Sequence, residues 1–303
     1  MAKIEIVNNV NDYVHYVGAE ELHPHVAVIH YDELDHVRHC LNNYNVYGLF
    51  LQKEFPYGLS YGMRNYSAAG GSLIAVAPGQ IGGMSDDGTI IHLHGWVLMF
   101  DQDFVRGTDL EKHMGDYHFF NYNNNEALQM KPDEKRVLAT IIKMIRMELK
   151  NNDSGDLTDD IVRSYIQLIL QYCQRFYNRQ FHEVTSGKTD LLVRFRKVLE
   201  EYYEKKLQIK NGTPSVAYCA SEMFLSANYF GDVVKTATGD TASHYIRHFV
   251  IDKAKSMLVG GHQITETADS LGFEYPQHFT RMFRLETGMS PSQFLRNIND
   301  MRQ

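Results

Sequence analysis

The sequence predicts an α+β protein: a strand-rich N-terminal part, two helices after it, and an all-α C-terminal part of two helix-turn-helix units joined by a linker helix. Three observations predict this. Short apolar runs alternate with turn residues up to about residue 125. Two long segments with helical apolar spacing follow. The last third then repeats itself at an offset of 49 residues.

In the N-terminal part, residues 26–29, 46–50, 72–76 and 96–100 read as strands. Gly70-Gly71, Pro78-Gly79 and Gly82-Gly83 read as turns. Many short strands suggest a small β-barrel or jelly roll. Pro132-Asp133-Glu134 starts the first helix, with Val137, Leu138, Ile141, Ile145 and Leu149 on one face. The second helix runs from about Thr158 to Arg179, and its apolar residues cover most of its circumference. Such a helix is buried on more than one side. Packing on a partner subunit, giving a homodimer, and a central place in a monomer both satisfy this. The polar segment 182–190 reads as a linker, and a helix over 191–203 leads into the C-terminal part. The expected division is 1–181, 182–190 and 191–303.

The repeat has physical content. Thr238-Gly239 matches Thr287-Gly288, and each glycine suits a left-handed helix end. Thr241 and Ser290 are matching N-caps. Phe230, Val233 and Val234 match Phe279, Met282 and Phe283, each set spaced as a buried helical stripe. Val216, Cys219, Ala220 and Met223 form a preceding short helix, with Ile264, Ala268 and Leu271 as its counterpart. Ser226 caps the second helix of the first unit, and Gly272 supplies positive φ in the second turn. Helix, tight turn and helix make a helix-turn-helix. A duplicated hairpin in a plain helical bundle would show the same apolar pattern.

Composition bounds the reading. The 303 residues include 44% hydrophobic and 22% charged, as in ordinary globular proteins. The net charge of −7 opposes a generally basic nucleic-acid coat. From Lys188 onward 15 basic residues face 13 acidic ones, and from Gly212 onward 8 face 9, so charge alone identifies nothing. No early segment joins a basic start to an apolar run, and no run approaches the ~20 residues of a membrane helix. Cys40, Cys173 and Cys219 are far apart and form no metal or redox spacing. A cytoplasmic protein without membrane partners is expected.

Three stretches together resemble the AraC/XylS family of transcription regulators: residues 264–273, then His278-Phe279-Thr280-Arg281-Met282-Phe283, then Thr287-Gly288-Met289-Ser290-Pro291-Ser292-Gln293-Phe294. The resemblance covers roughly Asp190 to Arg302. Residues 119–122 and 172–177 resemble N-terminal regions of some members. It implies a cupin-like sensor domain ahead of an AraC-type double helix-turn-helix domain. It implies a bacterial-type transcription regulator that binds double-stranded DNA. A small-molecule effector in the barrel, RNA polymerase and a second copy of the chain are the further partners it points to. Two departures remove positive charge: Val250 stands where the family often has a linker-helix arginine, and Lys235-Thr236 and Arg284-Leu285 stand where it often has paired lysines.

A recognition helix lies in the major groove with its polar face to base edges. In the first unit the outward residues would be Ser226, Ala227, Asn228, Gly231, Asp232 and Lys235. Asn228 suits adenine and Ala227 a thymine methyl, whereas Gly231 and Asp232 are poor DNA contacts. In the second unit they are Gln277, His278, Thr280, Arg281 and Arg284. Gln277 and Arg281 have forked chemistry for bases; Thr280 and Arg284 suit phosphates. A solvated face is the alternative for the arginines, and packing beside Phe279 is the alternative for His278. The linker helix, about residues 241–259, is ~27 Å long at ~1.5 Å per residue. Two recognition helices could then lie near the ~34 Å spacing of successive major-groove faces. Lys253 and Lys255 would touch phosphates or simply solubilise the helix.

No catalytic residues, cofactor or metal set are read. His92-Leu-His94 alternates as cupin metal ligands do, but no Glu is near in sequence, and His23-Pro-His25 is no better supported. Pro78-Gly79-Gln80 resembles the second cupin motif without its histidine. Asn121 to Glu126 reads as a polar loop. Two other classes stay open: a metal-dependent cupin enzyme with a helical appendage, and an interaction protein built on a degenerate helix-turn-helix.

Overall fold

The apolar runs of the N-terminal part pair into sheets in the computed structural model. It describes residues 4–302 apart from 35–36, 39–40, 53–70, 84–89, 123–125, 152–155 and 187. Gly70, Cys40 and residues 123–125 therefore lie outside the described residues. Contacts divide the chain into two units, Met1–Gln180 and Phe181–Gln303.

The first unit begins with β1 (Ile4–Val7), α1 (Val10–Val17), β2 (Val26–His30), β3 (Val37–Arg38), β4 (Leu41–Tyr44) and β5 (Tyr47–Gln52). Next come β6 (Ser72–Val76), β7 (Gln80–Gly83), β8 (Ile90–Ile91), β9 (Gly95–Phe100), α2 (Gln102–Val105), α3 (Asp109–His113) and β10 (Leu128–Gln129). Two long helices follow: α4 (Pro132–Lys150) and α5 (Asp156–Ser186), the latter counted in the second unit from Phe181 on. The strands form a five-stranded sheet ordered β10-β6-β5-β9-β2, a three-stranded sheet β1-β4-β7 and the pair β3-β8.

The large sheet is antiparallel, with Leu49 opposite Leu98 and Val28 opposite Leu98 on its other side. Its inner strands are apolar on both faces. Phe50, Val97 and Met99 join Val10, Tyr13 and Val14 of α1 in one buried cluster. Tyr13 and Tyr31 share a hydroxyl hydrogen bond of 2.5 Å there. Leu49, Leu51, Leu98 and Phe100 are buried on the opposite face, and α4 packs against β2 and β9. Double-sided burial explains why these strands read as unbroken apolar runs rather than alternating ones.

Three expectations change here. Gly82-Gly83, read as a turn, ends strand β7, whose backbone pairs with Leu41 and Asn42. His92-Leu-His94 lies between strands, so it does not present two rings on one strand face. His94 Nδ1 instead meets Asp32 at 2.7 Å, and the same carboxylate meets His30 Nε2 at 3.1 Å. His23 and His25 likewise separate onto Asp159 and Asp101. Residues 182–190, read as a linker, are helical to Ser186 and again from Lys188. Polarity in the sequence does not oppose a helix, because residues such as Glu and Lys are good helix formers.

The second unit contains α6 (Lys188–Glu204), α7 (Gln208–Asn211), α8 (Val216–Glu222), α9 (Ala227–Thr238) and α10 (Ala242–Val259). It ends with α11 (Ile264–Ser270), α12 (Pro276–Thr287) and α13 (Pro291–Arg302). Strands followed by helices in a separate unit make the fold α+β, as the sequence predicts.

Cys173 and Cys219 are both unpaired and buried. Burial pushes both thiols up, Cys219 to about 12. Because the thiolate is the nucleophile, both resist alkylation in the native state. At pH 8 each is expected to react at least ~10-fold more slowly in the native chain than in urea. Mass-mapped iodoacetamide labelling checks this; equal native and denatured rates would refute it.

Candidate nucleic-acid interface

The repeat seen in sequence is a repeat of hydrogen bonds. Thr238 Oγ1 donates to Val234 O at 2.8 Å and accepts from the Asp240 N–H at 3.1 Å. Forty-nine residues on, Thr287 Oγ1 donates to Phe283 O at 2.7 Å and accepts from the Met289 N–H at 3.3 Å. Gly239 and Gly288 follow with φ of 79° and 77°. Thr241 and Ser290 then cap α10 and α13 by accepting from His244 and Gln293 N–H groups. Helices α9 and α12 are thus each stopped, and the next helix started, by one local device.

The turns also correspond. The Leu225 N–H reaches Ala220 O at 2.9 Å, and the Phe273 N–H reaches Ala268 O at 3.0 Å. Ala220 and Ala268 are 1% and 0% exposed, so there is no room for a larger side chain. Phe224 and Gly272 hold the matching left-handed positions, at φ 60° and 87°. Gly272 is required twice over: a Cβ there would stand 2.8 Å from Gln208 O and 2.9 Å from the Gly212 carbonyl carbon. The short α7, which sequence patterning missed, creates that close approach. Gln208 Nε2 also donates to Ser270 O at 3.1 Å.

Between the units, α10 is buried at Ala242, Ile246, Val250, Ile251, Ala254 and Leu258. These residues share one cluster with Phe230 and Val234 of α9 and with Phe279 and Phe283 of α12. Val250 is 1% exposed, which accounts for an apolar residue at that position. Arg247, three residues earlier, donates from Nε to Glu286 Oε1 at 2.9 Å and supplies a cation to α12.

The burial of the inner stripes sets which side chains face out. On α9, Ala227, Asn228 and Lys235 are exposed, while Gly231 and Asp232 are half-buried. Ser226 is half-buried and its Oγ accepts from the Tyr229 N–H at 3.2 Å, so it serves as the cap. On α12, Gln277, His278, Arg281 and Arg284 are exposed and Thr280 is half-buried. His278 lies edge-on to Tyr275, 5.4 Å between centroids, rather than packed beside Phe279. Gln277, Arg281 and Arg284 fall at i, i+4 and i+7 on one stripe. Neither arginine makes an ion pair among the described residues. Lys253 sits over the Tyr203 ring at 5.2 Å, and Lys255 pairs with Asp252 at 3.0 Å.

One group escaped sequence reading. Asp240, His244, His248 and Glu286 meet where α10 approaches the end of α12. The Asp-x3-His-x3-His spacing was its visible signal, but Glu286 joins only through the tertiary fold.

Residues 219–297 match the family described as helix-turn-helix domain. The transcriptional regulatory protein YesN of Bacillus subtilis is 30% identical over 93 residues, which are 29% of this chain and 25% of YesN. The HTH-type transcriptional regulator YobQ of the same species is 30% identical over 108 residues, 31% of this chain and 44% of YobQ. The chain therefore spans between a quarter and under half the length of these relatives. A solved structure of ToxT from Vibrio cholerae O395 aligns over 89% of this chain and 95% of its own at 13% identity, with a TM-score of 0.30.

Replacing Gly272 by Ala is expected to destabilise the chain by about 1–3 kcal/mol, through strain at positive φ and collision with α7. Gly231→Ala, where the new Cβ meets open space inside α9, is expected to stabilise by about 0.5–1 kcal/mol. Urea unfolding midpoints check both signs together.

Proposed function

We propose that this chain, whose residues 219–297 form a helix-turn-helix domain of the AraC type, is a sequence-specific transcription regulator that reads two adjacent major-groove segments. One observation carries the proposal: α12 presents Gln277, Arg281 and Arg284 on a single stripe, with both guanidinium groups unpaired among the described residues. Three arginines elsewhere are engaged by carboxylates, Arg146 by Glu33, Arg179 by Glu134 and Arg247 by Glu286. Unpaired forks on a recognition helix suit guanine edges and phosphates. His278 and Thr280 flank that stripe. The first unit offers Ala227, Asn228 and Lys235 and is the weaker reader. Ser226 contributes by capping.

The N-terminal unit receives the signal in this reading. A groove of about 680 Å³ bounded by Asn8, Asn11, Asp12, His25, Asp101 and Arg106 offers donors and acceptors to a small polar effector. The chain acts as a homodimer: Ile161 and Leu168 of α5 are 41% and 38% exposed, on the heptad-like seam that also carries Tyr165 and Tyr172. Contact with RNA polymerase would complete the route to transcription. A cytoplasmic place and a regulatory rather than enzymatic role rest on the match of residues 219–297 to a helix-turn-helix domain; among the described residues no helix is long and apolar enough to cross a membrane.

Arg281→Ala is expected to lower affinity for a selected operator by about 1–3 kcal/mol. Equal binding of variant and wild type in a salt-controlled titration would remove Arg281 from the interface. Light scattering at micromolar concentration is expected to give a two-chain mass that falls to one chain in Leu168→Glu; a one-chain mass for the wild type would rule out the dimer.

A further inference from the structure

Four side chains converge outside the proposed DNA-reading stripe. On α10 and the residue preceding its cap, Asp240, His244 and His248 are spaced by four, which stacks them on one helix face. Each offers a ligand atom, and these lie within 4.8 Å of one another. From the last turn of α12, Glu286 points at them with its side chain only 2% exposed. Its Oε1 accepts from Arg247. Its Oε2 is buried and takes no hydrogen bond, although it lies 3.1 Å from His244 Nε2 and 3.5 Å from His248 Nε2.

We propose that His244 Nε2, His248 Nε2 and Glu286 Oε2 form a transition-metal site that staples the linker helix α10 to recognition helix α12. Three facts support it. Bonds of about 2.0–2.2 Å around tetrahedral zinc require ligand–ligand edges of about 3.3–3.6 Å; the 3.5 Å separation falls inside that range and the 3.1 Å separation lies just below it. His244 Nδ1 is held by the Asp240 carboxylate, the outer-shell partner that fixes the tautomer of a ligating histidine. Two carboxylates against one arginine leave the cluster net negative when both imidazoles are neutral, which favours a cation. Two imidazoles with one carboxylate select zinc, cobalt or nickel over calcium or magnesium. His248 is half-exposed, so a fourth position stays open to water.

The site stands or falls separately from DNA binding, and its test reads metal alone. Untagged full-length protein is titrated with cobalt(II), following the visible bands of tetrahedral coordination, and cobalt is then displaced with zinc. One such site per chain is expected. His248→Gln, a change at a half-exposed position, is expected to weaken it at least ~10-fold, and Asp240→Asn by ~10–100-fold. His262→Gln is expected to leave it unchanged, since His262 pairs with Glu266 away from the cluster. Circular dichroism confirms that each variant is folded. Absence of tetrahedral bands in the wild type, or bands unaltered in His248→Gln, would overturn the proposal. Either result would leave two imidazoles that merely ion-pair with Glu286.

Discussion

Ile246, Val250, Ile251, Ala254 and Leu258 of α10 are buried in the same cluster as Phe230 and Val234 on one side and Phe279 and Phe283 on the other. Neither helix-turn-helix unit has a core of its own. Each contributes two short helices, too few to bury an apolar stripe unaided. The linker helix supplies the missing wall to both, which is why it is apolar around so much of its circumference. The polar outer faces of α9 and α12 are then what remains once the inner faces have been spent on this shared burial.

Shared packing does not make the units identical. The Thr-Gly stop and the capped restart recur almost bond for bond, since they depend only on local hydroxyl-to-backbone hydrogen bonds and a left-handed glycine. The turns between helices differ: the second uses Gly272, and the first places Phe224 in the left-handed region with its ring 73% exposed. A non-glycine residue there carries a conformational cost of order 1–2 kcal/mol. The outer faces differ as well, with forked side chains on α12 and the half-buried Gly231 and Asp232 on α9.

Most of the helical unit was legible because its information is local. Apolar spacing, caps and glycine stops placed α9, α10 and α12 within a residue or two. Strand β6 was likewise read end to end from its apolar run. The three-stranded sheet was not: Asn42, Asn43, Gly82 and Gly83 carry little apolar signal, and pairing with distant strands decides their conformation. Helix α1 was missed because eight residues give barely two turns of pattern. Among site residues, outward positions followed from helical period. The role of Ser226 as cap was readable too, whereas Glu286 facing two histidines required the packing of α12 on α10.

The stiffness of α10 has a consequence for how a target would be organised. It is an unbroken 18-residue helix, capped by Thr241 at its start, so α9 and α12, the reading helices of the proposal, are joined by a strut rather than a tether. Once one of them engages, the other is presented at a fixed distance and rotation, with no loop entropy left to lose. The gain from the second contact is therefore all or nothing. A half-turn of extra DNA between the two segments would rotate one of them to the far side of the duplex, where no flexing of this protein could follow.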